Sequence, residues 1–359
     1  MHLSLHPFTL KLRESFRISY ETRDQQEILV AQLSDEDAQG NPVSGLGEST
    51  ENKYYGVTIA RMQTELTALR ETIENYALVN EPRPAGEAGT PEHLWQTIQP
   101  HLSNSPFALC ALDLAAHDLY GKKIGQPLYQ RWGLNPAQAP VSNYTIGIDR
   151  IEVMVRKLRD TRWPIYKIKL GTSEDLGIIR ELRKHTNAVF RVDANCAWGT
   201  EETIKNAHEL KKLGVEFIEQ PLPADNREEM KEVMQHSVLP LMADESCISE
   251  SDVARCVGLF HGVNIKLTKC GGITPARRMI AEARQHGLKV MVGCMTESTV
   301  GISAIAHLAP MLDYVDMDGA LLLAEDVATG VIVTETGVEF PAVNGTGAQL
   351  LPEHSPLKS

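Results

Sequence analysis

Several features are missing from this sequence, and each absence argues against a particular location or class of binding partner. Its six cysteines form no C-x-x-C pair, and the start MHLSLHPFTLKLRESF lacks the apolar core of a signal peptide, so a reducing cytoplasmic location is expected. No apolar stretch reaches the roughly 18 residues that a membrane-spanning helix requires. Lysine and arginine form no run and the net charge is −12, so we expect neither a membrane nor nucleic acid as a partner.

The residues that are present indicate a folded protein with more than one small domain. Its 359 residues are 42% hydrophobic and 23% charged, as in ordinary globular proteins. Alternating apolar runs around the polar turn DEDAQGNP predict an antiparallel sheet in residues 1–46. Helical spacing predicts a helix in residues 58–77. The segment FALCALDLAAHDLYGK predicts a buried helix that ends near Gly121 and packs His117 in the core.

After Pro140 the pattern changes to short strand-like segments that alternate with helical ones. Eight candidate strands follow one another: SNYTIGI, YKIKLG, VFRVDAN, FIEQP, LMADES, VNIKL, KVMVGCM and YVDMDG. Intervals of roughly 20 to 30 residues suit repeated βα units that close a parallel barrel. The alternative is an open doubly wound sheet, but no G-x-G-x-x-G follows any strand.

The predicted fold class is therefore α/β, a modified TIM barrel of the (β/α)7β type with an α+β capping domain. We expect the capping domain in residues 1–135 and the barrel in residues 136–325. The C-terminal segment, residues 326–359, is expected to pack back on the capping domain.

Lysines lie near the ends of two predicted strands, where barrel enzymes carry their catalytic side chains. Alternation along YKIKLG puts Lys167 and Lys169 on the face opposite Tyr166 and Ile168. Alternation along VNIKL turns Lys266 inward. The alternative for the paired lysines is a solvated edge strand, which a closed barrel does not have.

Three carboxylates, which we call the carboxylate trio, end three successive strands: Asp193, Glu219 and Asp244. The intervals of 26 and 25 residues correspond to one βα unit each, so the three groups should meet. Each alone is better explained as a helix cap or an ion-pair partner, but three adjacent carboxylates need a cation. All-oxygen ligation favours Mg²⁺. Asn195 and Glu245 are expected to support the trio.

Lys169 and Lys266 lie on the strands before and after the trio, and should therefore lie on opposite sides of the metal. Such an arrangement can remove a proton from one face of a carbon and return one to the other face. The metal would stabilise the enolate formed in between, and Lys167 would contact its oxygen and lower the pKa of Lys169.

The ordered motifs YKIKLG, VDAN, EQP, ADES and NIKLTKCGG resemble the enolase superfamily, and within it the muconate-lactonising-type subgroup. The resemblance covers nearly the whole chain and is closest to dipeptide epimerases that act on L-Ala-D/L-Glu. It implies Mg²⁺-dependent 1,1-proton transfer at the α-carbon of the C-terminal residue, in the recycling of cell-wall peptide. One departure is the 22-residue interval between Asp244 and Lys266, which is short for the subgroup.

The same resemblance implies which residues bind the dipeptide. Asp316 and Asp318, in the D-x-D of the last strand, would bind the α-ammonium group. Three residues of GCMTES would line the pocket: Cys294, Met295 and Thr296.

The capping loops would complete the pocket. Arg23 in YETRD would meet the side-chain carboxylate of the second residue, Thr145 would contact the substrate, and Tyr55 would close the site. Glu48 and Glu51, assigned to the other capping loop, could instead select a cationic residue, and apolar dipeptides are a third option.

Two other functions stay open at this point. A β-elimination or cycloisomerisation, as in o-succinylbenzoate synthase or muconate cycloisomerase, would use the same metal and lysines, but its substrates lack an ammonium group for Asp316 and Asp318. A non-catalytic, metal-stabilised binding protein is the alternative of another class, although burying so many charges is costly unless they bind something. Family resemblance also suggests a homo-oligomer.

Overall fold

The chain opens with an antiparallel sheet, as predicted. The computed structural model describes residues 1–354, and the sheet consists of β1 (His2–Arg17), β2 (Thr22–Glu36) and β3 (Pro42–Thr50). Both faces of β2 are buried. Leu29 and Leu33 pack against helices of the N-terminal region, whereas Ile28 and Val30 pack against the C-terminal segment.

Five helices follow the sheet: α1 (Ile59–Ala68), α2 (Arg70–Glu74), α3 (Pro91–Ile98), α4 (Pro106–Lys123) and α5 (Leu128–Arg131). The single helix predicted for residues 58–77 is broken at Leu69, where the backbone leaves the helical conformation. Helix α4 continues two residues beyond Gly121. It lies directly on β3 because Gly45 and Gly47 have no side chains; a Cβ at Gly47 would lie 2.1 Å from the Ala111 carbonyl oxygen.

All eight strands predicted after Pro140 are present and parallel. They are β4 (Tyr144–Ile146), β5 (Ile165–Lys169), β6 (Val189–Asp193), β7 (Val215–Glu219), β8 (Leu241–Ala243), β9 (Gly262–Lys266), β10 (Lys289–Gly293) and β11 (Tyr314–Asp316). Each pairs with its neighbour in chain order, from β4 to β11. This order confirms the predicted modified TIM barrel.

Helices connect the strands and cover the barrel: α6 (Ile151–Thr161), α7 (Asp175–Arg183), α8 (Thr200–Lys212), α9 (Arg227–His236), α10 (Glu250–Val253), α11 (Leu267–Cys270), α12 (Ile273–Gln285) and α13 (Thr299–Leu308). Alternation along the strands sends Ile168, Val192 and Ile265 outward into the large core beneath these helices. Their neighbours in sequence point inward. In residues 1–354, no helix is long and apolar enough to cross a membrane.

Side chains, rather than a backbone ladder, join β11 to β4 in the described part of the chain. The Asn143 amide donates to Asp316 at 2.7 Å, and the Thr145 N–H donates to Asp318 at 2.5 Å. The Met317 N–H donates to the Ser142 hydroxyl at 3.0 Å. The two aspartates predicted to bind substrate therefore also close the barrel.

The C-terminal residues form short strand pairs, β12 (Ala328–Thr329) with β15 (Gln349–Leu350) and β13 (Ile332–Thr334) with β14 (Gly337–Glu339). Val327 and Ala348 share a hydrophobic cluster with Leu10 and Val30 of the first sheet. The predicted packing of the C-terminal segment on a capping domain, and the domain boundaries at residues 135 and 325, stay predictions. Residues 355–359 of the predicted C-terminal segment lie outside the described residues.

Two buried histidines make stability depend on pH. His117 lies in the core as predicted and contacts the Thr274 hydroxyl at 2.9 Å, while His307 accepts the Tyr129 N–H at 3.1 Å. Burial lowers their pKa values from 6.5 to about 3 and about 4, respectively. Below pH 6.5 these histidines bind protons in the unfolded chain but remain neutral in the folded protein. The folded state therefore loses stability as the pH falls.

We predict that His307 destabilises the fold by up to about 3 kcal/mol as the pH falls from 6.5 to 4. Urea unfolding at pH 7.5 and pH 5 should show less pH dependence in His307→Gln than in the parent protein. His208→Gln, at an exposed position of α8, is the control and should retain the parent slope. Equal slopes in all three proteins would contradict the prediction.

Candidate active site

The carboxylate trio meets at the C-terminal end of the barrel. Asp193 and Glu219 end β6 and β7, and Asp244 directly follows β8. One oxygen from each carboxylate lies within 4.8 Å of those from the other two, and all three residues are buried. Burial and the charge of Asp193 raise the pKa of Glu219 to about 7, which is the effect expected when acidic groups are crowded. The all-oxygen donor set fits Mg²⁺.

Three residues that had no predicted role hold the trio in place. Lys269 donates to a carboxylate oxygen of Asp244 and to its backbone carbonyl, both at 2.6 Å. The Gln220 side-chain carbonyl accepts the Asp244 N–H at 3.0 Å. The Asn264 amide donates to Glu219 at 2.8 Å. Asn264 and Lys269 lie within the quoted motif NIKLTKCGG, and Gln220 lies within EQP, but spacing alone did not give their partners.

Lys169 and Lys266 flank the trio from β5 and β9. Lys169 Nζ lies 2.7 Å from Asp193 Oδ2, and Lys266 Nζ lies 2.9 Å from Asp244 Oδ2. Burial favours a lower pKa for Lys266, but Asp244 outweighs it and raises the pKa well above the usual value. The two ammonium groups thus approach the trio from the strands on either side of it, as predicted.

Lys167 lies between the trio and the last strand. Its Nζ is 2.8 Å from Glu219, 2.9 Å from Asp316 and 3.1 Å from Asp193. Burial acts to lower the pKa of Lys167, but these carboxylates raise it well above the usual value. Lys167 is therefore a fixed cation.

Asp316, Asp318 and Cys294 form a second cluster next to Lys167. One donor atom from each lies within 4.8 Å of the other two. Although burial opposes it, Lys167 lowers the pKa of Asp316 to about 2, whereas burial and the charge of Asp316 raise the pKa of Asp318 to about 7. Burial beside these aspartates raises the pKa of Cys294 well above the usual value, so the thiol keeps its proton. A buried acidic site with a neutral thiol suits an ammonium group.

One cavity joins these groups to the capping loops. The predicted residues that line it, besides the lysines and aspartates already described, are Arg23, Tyr55, Thr145, Asn195, Glu245, Cys294, Met295 and Thr296. Asp193 and Glu219 lie beneath its floor. In the described part of the chain, Asn195 Oδ1 and Glu245 Oε2 are buried without a hydrogen-bond partner. They are acceptors that a ligand or its water could satisfy.

The assignment of Glu48 to a capping loop is wrong. Glu48 lies on β3 and accepts hydrogen bonds from the N–H groups of Ser298, at 2.9 Å, and Gly301, at 3.1 Å, at the start of α13. Burial and the nearby Glu297 raise the pKa of Glu48 to about 8. The carboxyl thus joins the first sheet to the barrel and cannot reach a substrate side chain.

The two capping loops meet through aromatic rings, among them that of Tyr20, which had no predicted role. Tyr20, in the turn between β1 and β2, lies 5.4 Å from Tyr54 between ring centroids, and Tyr54 lies 4.9 Å from Tyr55. Tyr20 and Tyr55 line the cavity, and about half of the surface of both Tyr20 and Tyr54 is exposed. The rings cover the site from the solvent side.

Comparisons with known proteins agree with this geometry. A family described as Enolase C-terminal domain-like matches residues 150–354. The L-Ala-D/L-amino acid epimerase of Flavobacterium johnsoniae is 57% identical over 98% of this chain and 100% of its own length. The chain belongs to the enolase superfamily, and within it to the dipeptide epimerases.

Other members of the group agree in sequence and fold. The L-Ala-D/L-amino acid epimerase of a Maribacter species is 55% identical over 98% of this chain and 99% of its own length. The crystal structure of the dipeptide epimerase from Enterococcus faecalis, complexed with Mg and L-Leu-L-Tyr, has a TM-score of 0.85 and 28% identity. The alignment covers 97% of this chain and 99% of that structure.

The Asn264 side chain occupies space that is free only because residue 293 is a glycine. A Cβ at Gly293 would lie 2.7 Å from Asn264 Oδ1, so Gly293→Ala should push the amide away from Glu219. We expect Mg²⁺ affinity to fall by about tenfold, measured as the Mg²⁺ dependence of the melting temperature. Gly199→Ala is the control, because nothing lies within 4 Å of its Cβ. If both variants bind Mg²⁺ equally well, Asn264 does not support the site.

Proposed function

We propose that this protein is a Mg²⁺-dependent isomerase that catalyses 1,1-proton transfer at the α-carbon of the C-terminal residue of a dipeptide. Its substrates would have L-Ala first, with L-Ala-D/L-Glu among them. The observation that carries the proposal is the pair Lys169 and Lys266, which flank the carboxylate trio and line the same cavity as Asp316 and Asp318.

Asp193, Glu219 and Asp244 would hold the metal, since their oxygens converge within 4.8 Å. When bound, Mg²⁺ would supply fixed positive charge that draws electron density from the substrate carboxylate and makes the neighbouring α-proton more acidic. Asn264, Gln220 and Lys269 would keep the carboxylates oriented.

The two lysines would exchange the proton. One of Lys169 and Lys266, as the neutral amine, would accept the α-proton, and the other, as the ammonium ion, would donate a proton to the opposite face of the planar carbanion. Each Nζ atom lies next to a trio carboxylate in a buried site, so a proton would move to or from a nitrogen that the protein already holds in place. Lys167 would remain charged and stabilise the negative charge that develops next to the α-carbon.

The acidic cluster would recognise the free amine of the first residue. Asp318 lines the cavity, and its raised pKa reflects burial and the charge of Asp316. An incoming ammonium group would stabilise the ionised carboxylate and so lower this pKa. This feature favours a dipeptide over the substrates of o-succinylbenzoate synthase or muconate cycloisomerase, which offer no ammonium group.

Cytoplasmic recycling of cell-wall peptide is the setting we propose for this activity. All six cysteines are free, which suits a reducing compartment. A homo-oligomer is part of the same proposal by family resemblance, and light scattering would measure it.

Incubation with L-Ala-L-Glu and Mg²⁺ in D₂O should replace the α-proton of the glutamate residue and produce the D-epimer, as followed by NMR. Lys169→Met and Lys266→Met should each lower epimerisation by about a thousandfold. Each variant should still exchange the α-proton of the one epimer whose proton faces the remaining lysine. Lys205→Met, on an exposed position of α8, should behave like the parent protein. Unchanged epimerisation in both site variants would contradict the two-base mechanism.

The amine requirement has its own test. N-Acetyl-L-Ala-L-Glu lacks the charged amine and should be turned over at least about a hundredfold more slowly than L-Ala-L-Glu, because Asp316 and Asp318 would be left without a cation. Equal turnover of the two compounds would remove the ammonium site from the proposal and favour a substrate without an amine.

A further inference from the structure

Arg23 faces the cavity with part of its hydrogen-bonding capacity already used by the protein. Its guanidinium forms an ion pair with Glu21 and donates to Gln26 Oε1 at 2.5 Å. The side chains of Arg23 and Glu21 are only 17% and 22% exposed, so solvent screens their attraction incompletely.

Gln26 and Glu21 act on Arg23 in different ways. The Gln26 amide is anchored, because its nitrogen donates to the backbone carbonyls of Glu27, at 2.9 Å, and Glu51, at 2.8 Å. Its oxygen therefore fixes the direction of the guanidinium without changing the charge. Glu21 supplies the opposite charge.

The surroundings of Arg23 outside the cavity are also acidic. Arg23 lines both the cavity and an outer recess, which is also lined by Glu21, Asp24, Glu27 and Glu51, with Lys53 as the other cation. Arg23 is thus a cation at the cavity whose charge is already partly balanced by nearby carboxylates, with Glu21 as its ion-pair partner.

We propose that Glu21 is a specificity-determining residue, which holds Arg23 in an ion pair so that the subsite accepts neutral as well as acidic second residues. The inference rests on the proposed function and deepens it. A guanidinium has five N–H donors, so a substrate carboxylate can still bind, but it must compete with Glu21. An uncharged side chain can enter without leaving Arg23 unpaired, which would otherwise be costly.

The test compares L-Ala-L-Glu with L-Ala-L-Gln, which have nearly the same shape and differ in one charge. Affinity is measured by calorimetry on the full chain at saturating Mg²⁺, and kcat/KM by NMR. In Glu21→Gln, the preference for L-Ala-L-Glu over L-Ala-L-Gln should rise on the order of tenfold in both measurements. The Arg23→Met background should abolish this rise, because no guanidinium remains to be released.

Asp24→Asn is the matched control. It removes the same charge three residues along the chain from Glu21, but Asp24 is exposed and accepts its hydrogen bond from Ser15 rather than Arg23. Its preference should change less than twofold. Glu21→Ala provides a second variant if Glu21→Gln folds poorly, as judged by its melting temperature.

The outcomes separate the two proposals. An unchanged preference in the Glu21 variants, or a rise equal to that in Asp24→Asn, would overturn the role of Glu21. If the dipeptides bind with the expected shift but the parent protein never exchanges an α-proton, the proposed function fails and the subsite inference stands. If the parent protein binds neither dipeptide, both fail.

Discussion

The rest of the site depends on one constraint, which is that the charges buried at the mouth of the barrel must be balanced by opposite charges. A single buried ion is costly, and a cluster is tolerated only when opposite charges lie close and their hydrogen bonds are satisfied. Four cations and four anions lie within ion-pair distance of one another here: Lys167, Lys169, Lys266 and Lys269 with Asp193, Glu219, Asp244 and Asp316. The parallel strands supply the necessary order, since each delivers its charge at the same end of the barrel.

The contacts that close the barrel along the seam between β4 and β11 also position residues of the site. Asp316 receives both the Asn143 amide, which closes the seam, and the ammonium group of Lys167, which reaches toward the trio. Asp318 receives the Thr145 N–H in the same region. A substrate amine bound at these aspartates would therefore also reinforce the seam, which couples binding to the stability of the barrel.

The first sheet and its loops contribute residues to the cavity around this centre. Glu48 fastens β3 to the start of α13, and the segment before that helix carries the cavity residues Cys294, Met295 and Thr296. With that contact fixed, the loops of residues 18–21 and 51–57 can differ in charge and shape without disturbing the lysines. The pairing of Arg23 with Glu21 is an example of such local adjustment.

The sequence by itself determined the barrel, because an eightfold alternation of strands and helices has few ways to bury its apolar faces. It also determined which side chains enter the mouth, since strand alternation has a period of two and one βα unit separates Asp193 from Glu219. Only the tertiary structure decided how those groups are paired. Glu48 is 250 residues from Ser298, and Lys269 in α11 is 25 residues from Asp244. Periodicity predicts the face on which a side chain lies, whereas its partner depends on how distant segments pack. The residues that carry the chemistry could therefore be predicted from the sequence, but the loop contacts around them could not.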